Sequence, residues 1–375
     1  MSKLSALTAS LVAFGLLGPA TAQETLLIRL PAEVSTPRSV SLGGALVGLG
    51  GDTSCLLQNP ASLIAVPRSL DVVLSGGSHG GYGFGFALHP YRTLAIGILA
   101  PTTDRRFELV EPRPGPSGLL QPIDGRWIAL AVAWTPFDRR LSVGAMAEAA
   151  HLRLVDDAGS KSQRQTWVNA SFGVFVQPDG LDGTRLGVAY RLGTDRTFDV
   201  AAGELRESDT DATYRVRRPD VLSFGASWRY GWLKNTHVTF NVQPEVVLYG
   251  KVLGSTGGNE LDVRTSVEIS FPRGECVSGC GGLWQVRAGL VSRSGIPSQV
   301  PTFSDGYDPG RRSTTLVAGA SFADERLLSG KLKVDVGYSR ACDSKSQHCN
   351  TWMTGISYRF PSAFRGDLRH HRARR

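Results

Sequence analysis

Leu222-Ser223-Phe224-Gly225-Ala226-Ser227-Trp228-Arg229-Tyr230-Gly231-Trp232 alternates strictly between apolar and small or polar residues. One face carries Leu, Phe, Ala, Trp, Tyr and Trp, and the other carries Ser, Gly, Ser, Arg and Gly. A period of two with one apolar face predicts a β-strand that has lipid or a core on one side and water on the other. Outward from this stretch the same pattern recurs near 69–76, 81–88, 92–100, 125–135, 140–155, 165–177, 184–193, 221–232, 235–250, 260–271, 283–295, 313–323, 330–340 and 351–360. About fourteen strands result, an even number of the kind found in bacterial outer-membrane barrels. The predicted fold is an all-β, antiparallel transmembrane barrel over 69–360.

The connections point the same way. Joins after even-numbered strands are mostly short, such as His89-Pro90-Tyr91 and Pro136-Phe137-Asp138-Arg139, whereas 101–124, 194–220 and 296–312 follow odd-numbered strands and are long. Short periplasmic turns and long extracellular loops are the asymmetry of such barrels, and this reading places both termini in the periplasm. In the strand near 260–271, Leu261, Val263, Val267, Ile269 and Phe271 face outward and Asp262, Arg264, Ser266, Glu268 and Ser270 inward. In the last strand Trp352, Thr354, Ile356, Tyr358 and Phe360 oppose Met353, Gly355, Ser357 and Arg359. A soluble β-sandwich would alternate too, but with its polar face toward bulk water. Aromatics near strand ends, including Trp134, Trp228, Tyr230, Trp284, Trp352 and Phe360, suit an interfacial girdle and favour the barrel. Ile356-Ser-Tyr-Arg-Phe360 resembles the C-terminal strand signal read by the barrel assembly machinery, with 361–375 following as a basic periplasmic tail.

Composition bounds the remaining possibilities. Lys3, the apolar stretch Leu11–Leu17 and Ala20-Thr21-Ala22 read as a signal peptide over 1–22. No stretch approaches the roughly 18 consecutive apolar residues of a membrane-spanning helix. The 44 Gly, 3 Met and absence of helical periodicity predict a mostly β chain. In an exported, oxidising context Cys276 with Cys280 and Cys342 with Cys349 are candidate local disulfides, leaving Cys55 odd. Zinc at Cys276 and Cys280 lacks two further ligands, so no metal and no cofactor are expected. The net charge of +8 is concentrated at Arg365, Arg369, Arg372, Arg374 and Arg375. A solvated tail explains it, and no nucleic-acid-binding motif accompanies it. The 7 histidines are scattered and Gly-x-Ser-x-Gly is absent, so no enzyme is predicted.

Residues 23–68 do not read as a barrel strand, yet they are apolar, small and Gly-rich. Their core is Arg38-Ser-Val-Ser-Leu-Gly-Gly-Ala-Leu-Val-Gly-Leu-Gly-Gly-Asp52-Thr-Ser-Cys-Leu-Leu-Gln-Asn59-Pro60-Ala61-Ser-Leu63. Closely spaced glycines let backbone approach backbone, and Asn-Pro favours a turn, as a plug packed in a barrel would need. This stretch resembles the N-terminal hatch motif of the FadL/TodX family of outer-membrane transporters. Gly43, Gly44, Ala45, Val47, Asp52, Ser54, Asn59, Pro60, Ala61 and Leu63 match it. Gly51 replaces the first of two paired acids, Cys55 an Ala, and Ser62 a Gly.

The resemblance implies a hatch over 23–68 inside a fourteen-stranded barrel in the outer membrane of a Gram-negative bacterium. It also implies passive uptake of long-chain fatty acids or other hydrophobic small molecules, with surrounding membrane lipid as the other partner. An interaction or anchor barrel without transport is the alternative, suited by the long loops. The inferred lumen face offers Arg191, Arg229, Arg264 and Arg359 as possible contacts for an anionic ligand, although charges inside a barrel more often pair with each other or with a plug. Substrate identity and oligomeric state are not readable from the sequence.

Overall fold

A computed structural model describes residues 24–29, 36–66, 70–77, 82–91, 93–103, 108–109, 121–137, 140–155, 162–179, 181, 183–200, 212–233, 236–248, 259–272, 282–293, 313–324, 331–341 and 350–360. Residues 1–22, the tail 361–375, Cys276, Cys280, Cys342 and Cys349 lie outside the described residues.

Fourteen strands close a barrel: β2 (Leu70–Gly77), β3 (Tyr82–Tyr91), β4 (Leu94–Thr103), β6 (Gln121–Phe137), β7 (Leu141–Val155), β8 (Ser162–Val176), β9 (Thr184–Arg191), β12 (Asp220–Leu233), β13 (Thr236–Leu248), β14 (Asn259–Pro272), β15 (Gly282–Arg293), β16 (Ser313–Asp324), β17 (Lys331–Ala341) and β18 (Asn350–Phe360). Each pairs antiparallel with its barrel neighbours, and β18 returns to β2 from Met353↔Gly77 to Phe360↔Leu70. Every strand read from alternation has its counterpart here. Closure leaves no unpaired edge, the condition for crossing lipid with strands.

The sandwich reading fails on polarity. In β14, Leu261 is 45% exposed while Asp262 and Arg264, its inward neighbours, are fully buried. Leu130, Trp134, Phe172, Phe224, Phe240, Leu316, Val336 and Ile356 stand exposed on the outside in the same way. A water-soluble sheet would bury these side chains, whereas one surrounded by hydrocarbon exposes them. Tyr91, Trp134, Trp228, Tyr230, Phe271, Trp284 and Phe360 lie on the outside toward the end with the short turns. Trp284 tilts against Phe322 at 4.9 Å, so part of this belt is packed as well as interfacial.

Four further strands lie outside the barrel and were not expected. They are β1 (Glu24–Arg29), β5 (Glu108–Leu109), β10 (Thr194–Val200) and β11 (Ala212–Arg218), in the order β10-β11-β1-β5. β1 runs parallel to β11 and antiparallel to β5, while β10 and β11 form a hairpin within the join from β9 to β12. The segment 23–68 therefore begins with a strand, and 101–124 and 194–220 are not plain loops. The termini themselves, which the sequence reading puts in the periplasm, lie outside the described residues. Leu70 and Phe360 stand at the short-turn end, but Glu24–Arg29 pairs with strands in two joins at the opposite end. The physical reason is that β11 and β5 each offer backbone groups that β1 satisfies.

Candidate functional site: the filled lumen

Residues 36–66, between β1 and β2, lie within the barrel. Their one helix, α1 (Pro37–Ser41), starts from Thr36, whose side chain accepts from the Ser39 amide at 3.2 Å while the Thr36 amide donates to Ser39 Oγ at 3.1 Å. This reciprocal cap, with Pro37 in the first turn, satisfies the helix start. Asp52 caps the short 3-10 turn Thr53–Cys55 by accepting from the Ser54 amide at 3.0 Å, and Asn59 caps the turn Pro60–Ala65 by accepting from the Ala61 amide at 3.1 Å. α1 packs on β15 to β18, the Asn59 turn on β4 and β6 to β8, and the Asp52 turn on β2 and β3. The segment thus touches both sides of the lumen.

The wall carries a glycine footprint of this segment. A Cβ on Gly144, Gly173, Gly187, Gly225, Gly319 or Gly337 would strike Ala61, Asn59, Val47, Gly48, Ser41 or Pro37 respectively. Between these close approaches, Leu56, Leu57, Leu63 and Ile64 form a core with Leu99, Ala129, Ala131, Ala133, Met146 and Phe175 of the wall. Small residues on the wall and large ones on the segment are complementary, which close packing requires.

Hydrogen bonds fix the rest. Asn59 Nδ2 donates to the carbonyls of Val47 and Val174, both at 3.0 Å, so one amide ties two parts of the segment to β8. The Val47 amide donates to Gln243 Oε1 at 2.9 Å, Ser227 Oγ to the Gly48 carbonyl at 2.9 Å, and Ser142 Oγ to the Ala61 carbonyl at 2.9 Å. Gly43 and Gly44 hold positive φ angles of 60° and 77°, and Gly51 holds 105°. At Gly51 a side chain, including the acid of the family pattern, would be strained. Ser62, in place of Gly, donates to the Asn59 carbonyl at 2.7 Å.

A ring of six alternating charges joins segment to wall. Arg38 meets Asp52 at 2.8 Å and Glu268 at 3.4 Å; Arg287 meets Glu268 at 2.7 Å and Asp335 at 2.9 Å; Lys333 meets Asp335 at 3.0 Å and Asp52 at 3.8 Å. Arg38 and Asp52 belong to the segment, and the other members to β14, β15 and β17. Each charge has an opposite charge on both sides, the arrangement in which buried ions recover their lost hydration. Burial by itself pushes the Asp52 carboxyl up, but Arg38, Lys333 and the Ser54 side chain together hold it well below the usual carboxylate range. Burial opposes the charge on Arg38, yet Asp52 and Glu268 hold that guanidinium above its ordinary value. Burial, aided by Asp52, pushes the Cys55 thiol up to about 12.

The four arginines proposed for ligand contact separate in the structure. Arg264 is fully buried, 2.8 Å from Glu245 and 3.7 Å from Asp262. Arg191 donates to the Leu57 carbonyl at 2.7 Å. Arg359 donates to the Gly51 carbonyl at 3.3 Å and lies 3.7 Å from Asp71. Three of the four therefore brace the segment or the wall. Arg229 instead lines a cavity of about 410 Å³ between the segment and the short-turn end, together with Arg359, Arg185, His237, Lys331 and the ring members Arg38, Asp52, Glu268, Lys333 and Asp335. Arg38 and Gln243 were not singled out, although Arg38 opens the Gly-rich stretch and inward alternation marks position 243.

No protein-family model matches the sequence, and no match was found among curated proteins. Among solved structures, a Pseudomonas aeruginosa FadL homologue aligns over 89% of this chain and 99% of its own, with a TM-score of 0.52 at 10% identity. The barrel has the FadL-type fold. A monoaromatic hydrocarbon channel, CymD, aligns with this FadL-type barrel over 88% of this chain and 98% of its own, with a TM-score of 0.52 at 13% identity. The Ralstonia pickettii toluene transporter TbuX does so over 88% and 99%, with a TM-score of 0.51 at 14% identity.

Proposed function

We propose that this FadL-type barrel sits in a bacterial outer membrane and admits hydrophobic small molecules passively, with residues 36–66 acting as its hatch. The observation that carries the reading is a closed barrel, apolar outside and polar inside, whose bore is occupied by its own N-terminal segment. A fatty acid or an aromatic hydrocarbon is the expected class of cargo. A straight path would require an apolar molecule to displace a charged, hydrogen-bonded plug, which is costly.

The wall offers an alternative path. The β4–β6 ladder pairs Leu99 with Ala129 and Thr102 with Arg126, but Ala100 and Pro101 have no partners on β6. Proline has no N–H to donate, so two rungs are missing toward the long-join side of Gly97, where Leu56 and Leu63 of the segment pack. Cargo entering from the long-join end meets this weak seam before the plug. Uptake of radiolabelled toluene and oleate by cells expressing the protein, or the double variant A100C/I128C, tests both parts. Uptake that the cross-link abolishes and reduction restores is the expected result. Uptake no greater than in cells lacking the protein sinks the transport reading, and uptake indifferent to the cross-link sinks the lateral path.

A second reading, a surface anchor for another protein, is favoured by the four-stranded sheet at the long-join end, whose edge strands β10 and β5 each have one neighbour among the described strands. Cross-linking on intact cells that recovers one stoichiometric partner supports it.

A further inference from the structure

We propose that the cavity at the short-turn end is an anion site, built on Arg185 and Arg229, that takes the carboxylate of a small apolar acid. The proposal deepens the transport reading by naming an acidic class of cargo. The argument is a charge ledger of the cavity wall. Every ring carboxylate that faces the cavity is already matched by two cations: Asp52 by Arg38 and Lys333, Glu268 by Arg38 and Arg287, and Asp335 by Arg287 and Lys333. Asp71 lies beside Arg359. Arg185 and Arg229 line the same cavity, and no described carboxylate lies within 4.0 Å of either. Lys331 of β17 lines the cavity as well, so among the described lining residues cations outnumber carboxylates.

Register places the two arginines side by side on one face of the wall. Arg185 pairs with Ser227 across β9 and β12, so Arg229 is its diagonal neighbour on the same inward face. Such neighbours stand roughly 7 Å apart at the backbone, within joint reach of one carboxylate for side chains this long. Arg229 is held at its backbone and Arg185 at one guanidinium nitrogen. The Arg229 amide donates to the Gly183 carbonyl at 3.0 Å, and Arg185 donates to the Leu49 carbonyl at 2.6 Å. The planar guanidinium retains further N–H groups for an incoming anion. Leu49, Val73 and Leu283 supply limited apolar lining, which suits a compact acid rather than a long tail.

The test uses the full chain in a non-ionic detergent and a fluorinated benzoate followed by fluorine NMR, with the matching fluorinated benzyl alcohol as the neutral control. Folding of each variant is checked by heat-modifiable migration. The expected result is saturable benzoate binding and no saturable binding of the alcohol. R185Q/R229Q lowers benzoate affinity by at least about tenfold, and R229K, which keeps the charge, falls between. Equal binding of acid and alcohol by the unmodified protein overturns the proposal whether or not a variant folds. Undiminished binding by folded R185Q/R229Q overturns it also. Because the readout is binding, failure here leaves the uptake experiment standing, and failed uptake leaves the site standing.

Discussion

At the scale of single residues, Asn59 concentrates much of the segment's attachment to the wall. Its side chain caps one turn and donates to two carbonyls from distant parts of the chain, and it is completely buried. N59A leaves those groups unpaired and is expected to destabilise the folded protein by about 2–4 kcal/mol, read as a lower midpoint in urea refolding from vesicles. Removing one ring charge has a similar consequence. E268Q leaves Arg38 and Arg287 each short of a partner, and a loss of roughly 3 kcal/mol is expected in the same measurement. Asp52 gives the ring a pH dependence of known sign. Its carboxyl titrates lower in the folded protein than in the unfolded chain, so its stabilisation is present above about pH 4 and fades as pH falls below that value. Protease susceptibility of the segment should therefore rise below about pH 4 in the native protein and respond less in D52N. Cys55 has the opposite character. Its thiol is buried and held up at about 12, so maleimide at neutral pH should modify the Cys55 peptide only after unfolding, as mass spectrometry of digests would show.

At the scale of elements, the glycine footprint makes a separable prediction. Gly337 lies on β17 where a Cβ would strike the Pro37 carbonyl, while its backbone remains an ordinary rung opposite Gly319. G337V should leave the strand paired and displace α1, so the barrel still migrates as a folded species while the segment becomes cleavable by added protease. The same contrast explains what was legible beforehand. All barrel strands could be read because each bears a lipid face, and a period of two survives in one strand taken alone. β1, β5, β10 and β11 were not, since they are short, and Thr194-Asp-Arg-Thr-Phe-Asp-Val200 resembles a polar loop when its partner is unknown. The motif around Asn59 marked the segment, and inward alternation marked Glu268. The closure of a ring through Arg38 was not readable, because it joins residues 230 positions apart through a fold that must exist first.

At the scale of the whole molecule, the plug and the wall answer for different properties. The wall satisfies its own backbone by closure, whereas the segment fills the bore. Deleting residues 36–66 is expected to give a barrel that inserts and conducts ions in planar bilayers in steps well above those of the intact chain. Matching conductance would mean that the segment does not obstruct the bore. A further consequence follows from β1 standing at one mouth and β2 beginning at the other. The polypeptide is threaded through its own ring. A barrel closed first would have to be threaded afterwards, with Glu24–Arg29 passing from one mouth to the other. In chain order the segment precedes every barrel strand, and the seam between β18 and β2 needs the last of them. A chain stopped after β17 would then leave an open sheet with its segment uncovered rather than a smaller ring.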